Sequence, residues 1–412
     1  MKKQINLSYG ILNTIQNAIF PLVTLPYVLQ TVGPELYGKN LHAALFHQLF
    51  SFLFVLAINP YALRLFSHTM GIGKKVEEET IFSRIVSFQF IMSSIATAIQ
   101  CFVITLLGLL TPLYALYIFI TFFSFMNVEW LFQARQDYKT IFFRTLLLRS
   151  LALIFLFLFV KSENDFSQYN LIMAFSLISP AIISFLIARK SYVFKPSLSN
   201  IKSDIFGAKY FYTNGAIGSV YSYLDQVVIG LLVTSKELAI FNLIKTLAST
   251  IMSIPNMVNR FIMPDAFRAL KTGMLFFHHR KYFTLMMVCL VVGLSLFCFI
   301  GLPVISTFLG EKINFKQSYI YLISASVFFT SLAVYIDTQS SVILELEKIT
   351  TISNLIVATI SPLTTIFLFS TFTYLSPFIG MIIGEFCGVL VMIYMHLFVF
   401  KTNFIRTVAY KL

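Results

Sequence analysis

Two charged residues lie deep within long apolar stretches of this 412-residue chain. Asp225 and Lys245 flank a short polar turn centred near residue 235, and each lies ten residues from that centre. In two antiparallel helices the two side chains would reach the same depth and could meet. The pair is either a structural link between the helices or part of a cavity, where Asp225 would bind an ion or a proton and Lys245 would attract an anion.

Amide and hydroxyl side chains form polar faces in two of the apolar stretches. The stretch that contains Asp225 also carries Asn214 and Ser222 on the same helical face. The first stretch carries a second set at spacing i, i+3 and i+4: Asn13, Gln16 and Asn17. Such groups either bind sugar hydroxyls in a cavity or hydrogen-bond to neighbouring helices.

Three more charged residues lie within or at the ends of apolar stretches. Glu385 is a candidate for ion coupling or for an internal ion pair. It lies beside three glycines whose spacing allows close helix contact: Gly380, Gly384 and Gly388. Arg144 and Arg149 either extend to the membrane surface or reach the mouth of a cleft, where a diphosphate would dock.

These residues are carried by about twelve apolar stretches, each long enough to cross a hydrocarbon core of ~30 Å. We expect membrane-spanning helices at 9–29, 43–63, 85–108, 113–133, 142–160, 168–188, 210–233, 238–258, 283–306, 317–336, 349–370 and 376–399. The chain is 58% hydrophobic and only 11% charged, with a mean hydropathy of +0.83. A soluble domain would carry about 25% charged residues.

The distribution of positive charge predicts the orientation. Of the 30 lysines and arginines, 24 lie at the termini, in every second connection or at the adjoining span ends, five lie in the other connections, and Lys245 lies well inside a span. The positive-inside rule therefore places both termini in the cytoplasm. The net charge of +13 fits loops that face anionic lipid better than it fits nucleic-acid binding. Segment 260–281, with five cations among Phe, Leu and Met, is expected to be an interfacial amphipathic segment or an ordinary basic loop.

The chain divides into two similar halves. A basic connection separates six spans from six, which predicts an N-terminal lobe at 1–190, a linker at 191–209 and a C-terminal lobe at 210–412. Segments 35–40 (ELYGKN) and 237–242 (ELAIFN) share three identities at an offset of 202. Chance similarity between apolar segments is the alternative. A parallel repeat of this kind is typical of transporters with a central cleft between two lobes.

The sequence contains no Walker A motif, no G-x-G-x-x-G after a strand, no HExxH and no Cys/His metal spacing. We therefore expect neither a cofactor nor hydrolysis of ATP by this chain. Secondary transport, driven by an ion gradient or by the gradient of the substrate, is consistent with these motifs.

Three segments resemble one family, the Wzx-type polysaccharide flippases of the multidrug/oligosaccharidyl-lipid/polysaccharide (MOP) exporter superfamily. Segment 25–38 (LPYVLQTVGPELYG) resembles its Pro-Tyr and Gly-Pro-Glu-x-Tyr-Gly signature. Segment 128–141 (VEWLFQARQDYKTI) is similar to its Trp-Phe-x-Gly and charged stretch, and segment 223–230 (YLDQVVIG) resembles the start of its second lobe.

The resemblance implies an all-α, MATE-like membrane protein that is not an enzyme. It would move undecaprenyl-diphosphate-linked oligosaccharide from the cytoplasmic to the periplasmic leaflet of the bacterial inner membrane by alternating access. The implied partners are this substrate, membrane lipid, a proton or sodium ion, a polysaccharide polymerase and a chain-length regulator. Lys245 with Arg144 or Arg149 would attract the diphosphate, and Asp225 would couple or pair ions. The residues expected to contact sugar are Asn13, Gln16, Asn17 and Asn214.

Two alternatives remain open. A MATE-like multidrug or cation exporter shares the fold but is expected to have an acidic cavity. A membrane polysaccharide polymerase or ligase needs external catalytic residues, usually on a large outer loop, whereas the predicted outer connections here are short.

Overall fold

A computed structural model describes residues 2–70, 75–197, 204, 206–209, 223, 225–309, 315–344 and 346–409. Side chains are described for the same residues apart from 2–7, 225, 260, 261, 264, 271, 347 and 399–409. The described part is almost entirely helical and contains no strand. Its helices are α1 (Lys2–Thr31), α2 (Pro34–Phe54), α3 (Asn59–Met70), α4 (Lys75–Leu106), α5 (Pro112–Phe123), α6 (Glu129–Ala134), α7 (Tyr138–Phe159), α8 (Phe166–Ser191), α9 (Asp225–Leu232), α10 (Ser235–Lys271), α11 (Leu275–Leu309), α12 (Gln317–Ile336), α13 (Glu347–Phe372) and α14 (Ser376–Ala409).

Nine helical stretches of the described residues are long and apolar enough to cross a membrane. The ninth, Lys348–Phe398, contains most of both α13 and α14. The nine do not include α1, which contains six amide residues and two prolines. Helix α9 is described over eight residues. This architecture agrees with the expected all-α membrane protein.

The basic segment 260–281 is helical almost throughout. Helix α10 continues to Lys271, and α11 begins at Leu275. Gly273, at φ 71°, forms the turn: its N–H donates to Leu270 O (3.2 Å), and the N–H of Met274 donates to Ala269 O (2.8 Å). This is a Schellman turn, in which glycine is favoured because φ is positive. Segment 260–281 is therefore not an ordinary loop, and its position at the membrane interface stays a prediction.

Helices α1 and α7 pack side by side and run in the same direction. Tyr9 contacts Phe142 near one end, with ring centroids 5.7 Å apart. At the other end the Tyr27 hydroxyl donates to Val160 O (2.6 Å). The offset between partners is 133 residues in both contacts. This packing places the polar face of α1 beside Arg149 of α7.

The segment that follows α8 lies along α4. The backbone N–H groups of Lys195 and Ser197 donate to the hydroxyls of Ser83 (3.0 Å) and Ser87 (3.1 Å). Farther on, the buried Asp204 carboxylate lies 2.6 Å from Arg84 Nε. Described parts of the predicted linker at 191–209 are thus held by hydrogen bonds and an ion pair.

The chain forms two compact units, Met1–Ala239 and Ile240–Leu412, which divide within α10. They are called unit 1 and unit 2 below. The boundaries expected from the internal repeat, 1–190 and 210–412, stay a prediction.

Within unit 2, α13 and α14 are in close contact. A Cβ added to Gly380 would lie 2.6 Å from Ser361 O, and one added to Gly388 would lie 2.7 Å from Val357 Cγ2. The close helix contact predicted from the glycine spacing is confirmed. Gly380 is glycine because the Ser361 carbonyl oxygen leaves no room for a side chain, and at Gly388 the Val357 side chain fills the space.

Candidate functional site

The amides of α1 form the first part of the candidate site. The Oδ1 of Asn13 and both side-chain polar atoms of Gln16 are buried, and none has a hydrogen-bond partner among the described residues. Asn17 is exposed. An amide held without a partner in an apolar interior costs several kcal/mol. A ligand or water that bonds these atoms would therefore be bound favourably.

Arg149 of α7 holds the same part of α1. Its Nη1 donates to the backbone oxygen of Gln16 (3.0 Å), and its guanidinium lies 4.9 Å from the ring centroid of Phe20. The contact to backbone is independent of the Gln16 side chain. Arg149 can therefore fix the position of the amide face while the amides stay available.

Arg144 faces a different side of α7. It is 8% exposed, and its Nη2 donates to Glu129 Oε2 of α6 (2.8 Å). Its Nη1 donates to the hydroxyl of Ser184 on α8. Five helical positions separate it from Arg149, about 140° around the helix. The structure thus gives the two arginines separate partners.

The predicted site residues of the second half are described only in part. Asn214, Ser222 and the side chain of Asp225 lie outside the described residues. Lys245 is half-buried on α10, with its Nζ 5.9 Å from the ring centroid of Phe241. The Asp225–Lys245 pair therefore stays a prediction. Glu385 is half-buried on α14.

A buried amide network in unit 1 was not predicted from the sequence. Asn40 of α2 donates through Nδ2 to Asn170 Oδ1 (2.7 Å), and its Oδ1 accepts from the Tyr117 hydroxyl (3.1 Å). His47, about two turns further along α2, pairs through Nδ1 with the Thr121 hydroxyl (2.9 Å). Polar residues in apolar helices could have signalled the network, but their partners are distant in sequence. A structural role for His47 agrees with its contacts.

A second polar cluster lies in unit 2, in a segment that the sequence predicts to be a cytoplasmic connection between two spans. Asp337–Ser341 forms a π-helical turn after α12, and π turns occur often at functional sites. Gln339 is fully buried and donates to Asn259 O (2.7 Å). Its Oε1 and the amide atoms of Asn259 have no hydrogen-bond partner among the described residues. The polar run DTQSS is the sequence feature that could have indicated this cluster.

The signature segments noted in the sequence hold helix ends in unit 1. Gly33 adopts φ 87° immediately before Pro34, the first residue of α2. A Cβ at Gly38 would collide with the carbonyl oxygen of Ser235. Tyr27 is bonded to the end of α7, as described above. These residues fix connections between helices.

The family whose description is "Polysaccharide biosynthesis protein" matches residues 5–265. The chain belongs to this family. A candidate O-antigen transporter of Escherichia coli (strain K12) is 22% identical over 264 residues, which cover 60% of this chain and 61% of the relative. A candidate O-antigen transporter of Shigella dysenteriae is 25% identical over 252 residues, which cover 59% of this chain and 61% of the relative. The matches thus span about three fifths of the length of these curated relatives.

Solved structures with the same fold are members of the MOP superfamily. Lipid II flippase MurJ, in an inward closed conformation, matches with a TM-score of 0.68 and 13% identity over 94% of this chain and 87% of that one. An inward-facing multidrug resistance MATE family transporter matches with a TM-score of 0.58 and 13% identity over 94% and 99%. The resemblance to a polysaccharide family and the all-α, MATE-like fold are confirmed.

Proposed function

We propose that the chain is a flippase for lipid-linked oligosaccharide in the bacterial inner membrane. Its substrate would be an undecaprenyl-diphosphate-linked polysaccharide repeat unit, moved to the outer leaflet by alternating access. Family membership and the O-antigen transporters among its relatives support the substrate class. The fold shared with a lipid II flippase supports a membrane transporter.

The observation that carries the proposal is the unpartnered amide face of α1. Asn13 and Gln16 present three buried polar atoms without a partner among the described residues. Sugar hydroxyls both donate and accept hydrogen bonds, so they can satisfy amide oxygens and amide N–H groups together. We assign Asn13, Gln16, Asn17 and, from the sequence alone, Asn214 to sugar contacts. Arg149 positions α1 for these contacts.

The charged residues take the other roles in the proposal. Lys245 attracts the diphosphate, together with Arg144 or Arg149, because a cation in a poorly hydrated site strongly favours phosphate. Asp225 and Glu385 couple the cycle to a proton or sodium ion, and Ser222 lines the same polar face as Asp225. A polymerase and a chain-length regulator would act on the delivered units.

A multidrug exporter is the second candidate, because MATE transporters share this fold. The family match favours polysaccharide, since it covers 5–265 and carries the description of polysaccharide biosynthesis. A cation exporter would confer resistance to cationic dyes and leave surface glycan unchanged.

The decisive experiment deletes the gene in its host and locates lipid-linked oligosaccharide across the inner membrane. We expect accumulation on the cytoplasmic leaflet and loss of surface polysaccharide, both restored by the wild-type gene. Unchanged glycan together with new dye sensitivity would instead identify an exporter. Unpolymerised units outside the membrane would identify a polymerase or ligase.

The same strain tests the proposed diphosphate residue. Lys245→Ala is expected to abolish complementation at normal membrane abundance. Lys236→Ala removes an exposed lysine from the first turn of the same helix and is expected to complement fully. Full activity of the Lys245 variant would contradict the assignment.

A further inference from the structure

A cavity of about 550 Å³ lies in unit 1 between the first half of α7 and the end of α8. Its walls combine two cations, Lys139 and Arg144, with apolar side chains that include Phe143 and Leu147. Phe143 is 49% exposed and Leu147 is 60% exposed. Because these residues lie in an apolar membrane helix, this wall of the cavity is open toward lipid.

Arg144 is held in this cavity with donor capacity left. Glu129 and Ser184 engage its two terminal nitrogens, but its buried Nε has no hydrogen-bond partner among the described residues. The Ser184 hydroxyl donates to Pro180 O (2.5 Å), so it accepts from Arg144. A guanidinium has five N–H donors in a fixed plane. The protein therefore fixes the plane of Arg144, and one buried N–H of the guanidinium has no partner among the described residues.

Lys139 supplies a second cation at the mouth of the cavity. It lies in the first turn of α7, is exposed, and forms no ion pair with a described residue. The acids nearby are engaged: Glu129 with Arg144, and Asp137 with Thr140, whose hydroxyl donates to Asp137 Oδ2 (2.7 Å). Segment 135–149 has four cations and one acid. The net charge of this segment is thus positive.

We propose that this cavity, called the α7–α8 groove, binds the phosphate of an anionic lipid. Lys139 and Arg144 contact the phosphate, and Phe143 and Leu147 contact the adjoining hydrocarbon. Basic pockets between membrane helices on the cytoplasmic side are suited to phosphate head groups, and the charge distribution predicts that this end of α7 is cytoplasmic. The site is separate from the α1 amide face. It shares Arg144 with the diphosphate role proposed above, and its polyprenyl phosphate source rests on that proposed function.

The phosphate has two sources, a membrane phospholipid or a polyprenyl phosphate carrier. Native mass spectrometry of the full chain, purified in detergent, separates them when phosphatidylglycerol, phosphatidylcholine and undecaprenyl phosphate are each titrated. Retention of both anionic lipids over phosphatidylcholine indicates a general anionic-lipid site. Retention of undecaprenyl phosphate alone indicates a carrier site. No preference for either anionic lipid over phosphatidylcholine overturns the proposal.

Three variants locate the binding. Lys139→Gln is expected to weaken binding of the retained anionic lipid about fivefold, the effect of one cation near a membrane surface. Leu147→Trp fills the groove without changing charge and is expected to weaken binding further. Lys190→Gln removes an exposed lysine at the end of α8, outside the groove, and is expected to bind as wild type.

Melting temperatures of the purified variants show that each is folded, so a loss of binding is not a loss of structure. Wild-type binding by both groove variants would overturn the proposal. An equal loss in the Lys190 variant would do the same, since it would show binding governed by general surface charge.

Discussion

Two sets of amide side chains lie in unit 1, and their hydrogen bonding differs. Asn40 is bonded on both sides, to Asn170 and Tyr117. Asn13 and Gln16 have buried amide atoms without a partner among the described residues. Asn40 is 3% exposed, whereas Asn13 and Gln16 are half-buried. The side chains are all amides, so the difference lies in what each amide faces.

The difference separates two uses of a polar residue in a membrane helix. A bonded amide joins helices, because its partner group would otherwise be unpaired in an apolar interior. An unpartnered amide stabilises nothing in the free protein and gains its hydrogen bonds only from a ligand or water. The Asn40 network is therefore expected to govern stability, and the α1 face is expected to govern transport.

The largest expected effect on stability is at the Asn40 network. Asn40→Leu leaves the Asn170 amide and the Tyr117 hydroxyl without their partner and should lower the free energy of unfolding by about 2 kcal/mol. Chemical denaturation in detergent measures this change. The double variant with Asn170→Leu should cost less than the two single costs added together. Strict additivity would show that the two amides do not stabilise each other.

A smaller effect, on transport instead of stability, is expected on α1. Gln16→Leu removes two unpartnered atoms, so unfolding should be unchanged or harder by about 1 kcal/mol. Transport in the complemented deletion strain should fall about tenfold, the loss of one ligand hydrogen bond. The control is Thr14→Val, because Thr14 bonds its own helix at Gly10 O (3.1 Å). Equal transport by the two variants would contradict the assignment of the α1 amides to substrate binding.

The smallest expected effect is at Arg149, which joins α7 to the α1 face. Arg149→Met keeps the aliphatic part of the side chain but removes the guanidinium. It loses the hydrogen bond to Gln16 O and the cation–π contact with Phe20, which should cost about 1 kcal/mol of stability. Transport should fall with stability, and Arg149→Lys should restore part of both. Loss of transport at unchanged stability would instead indicate that Arg149 binds the substrate.

The sequence by itself determined which segments form membrane-spanning helices. A helix must satisfy its backbone within itself to cross a bilayer, so about 20 apolar residues specify each span. The glycine spacing in the last span likewise predicted a close helix contact, and the structure identified α13 as the partner. Both are local properties, readable from length, hydropathy and spacing. The end of α10 shows the limit, because continuation of that helix to Lys271 depends on a turn at Gly273.

The tertiary structure decided which polar groups are satisfied. Helical periodicity assigns a residue to a face but does not name the neighbour of that face. Asn40 meets Asn170 across 130 positions, and Arg149 meets Gln16 across 133. Arg144 and Arg149 look alike in sequence, yet one is paired with Glu129 and the other with the backbone of α1. Only helix packing separates a bonded amide from an available one, because the desolvation that makes the difference arises between helices.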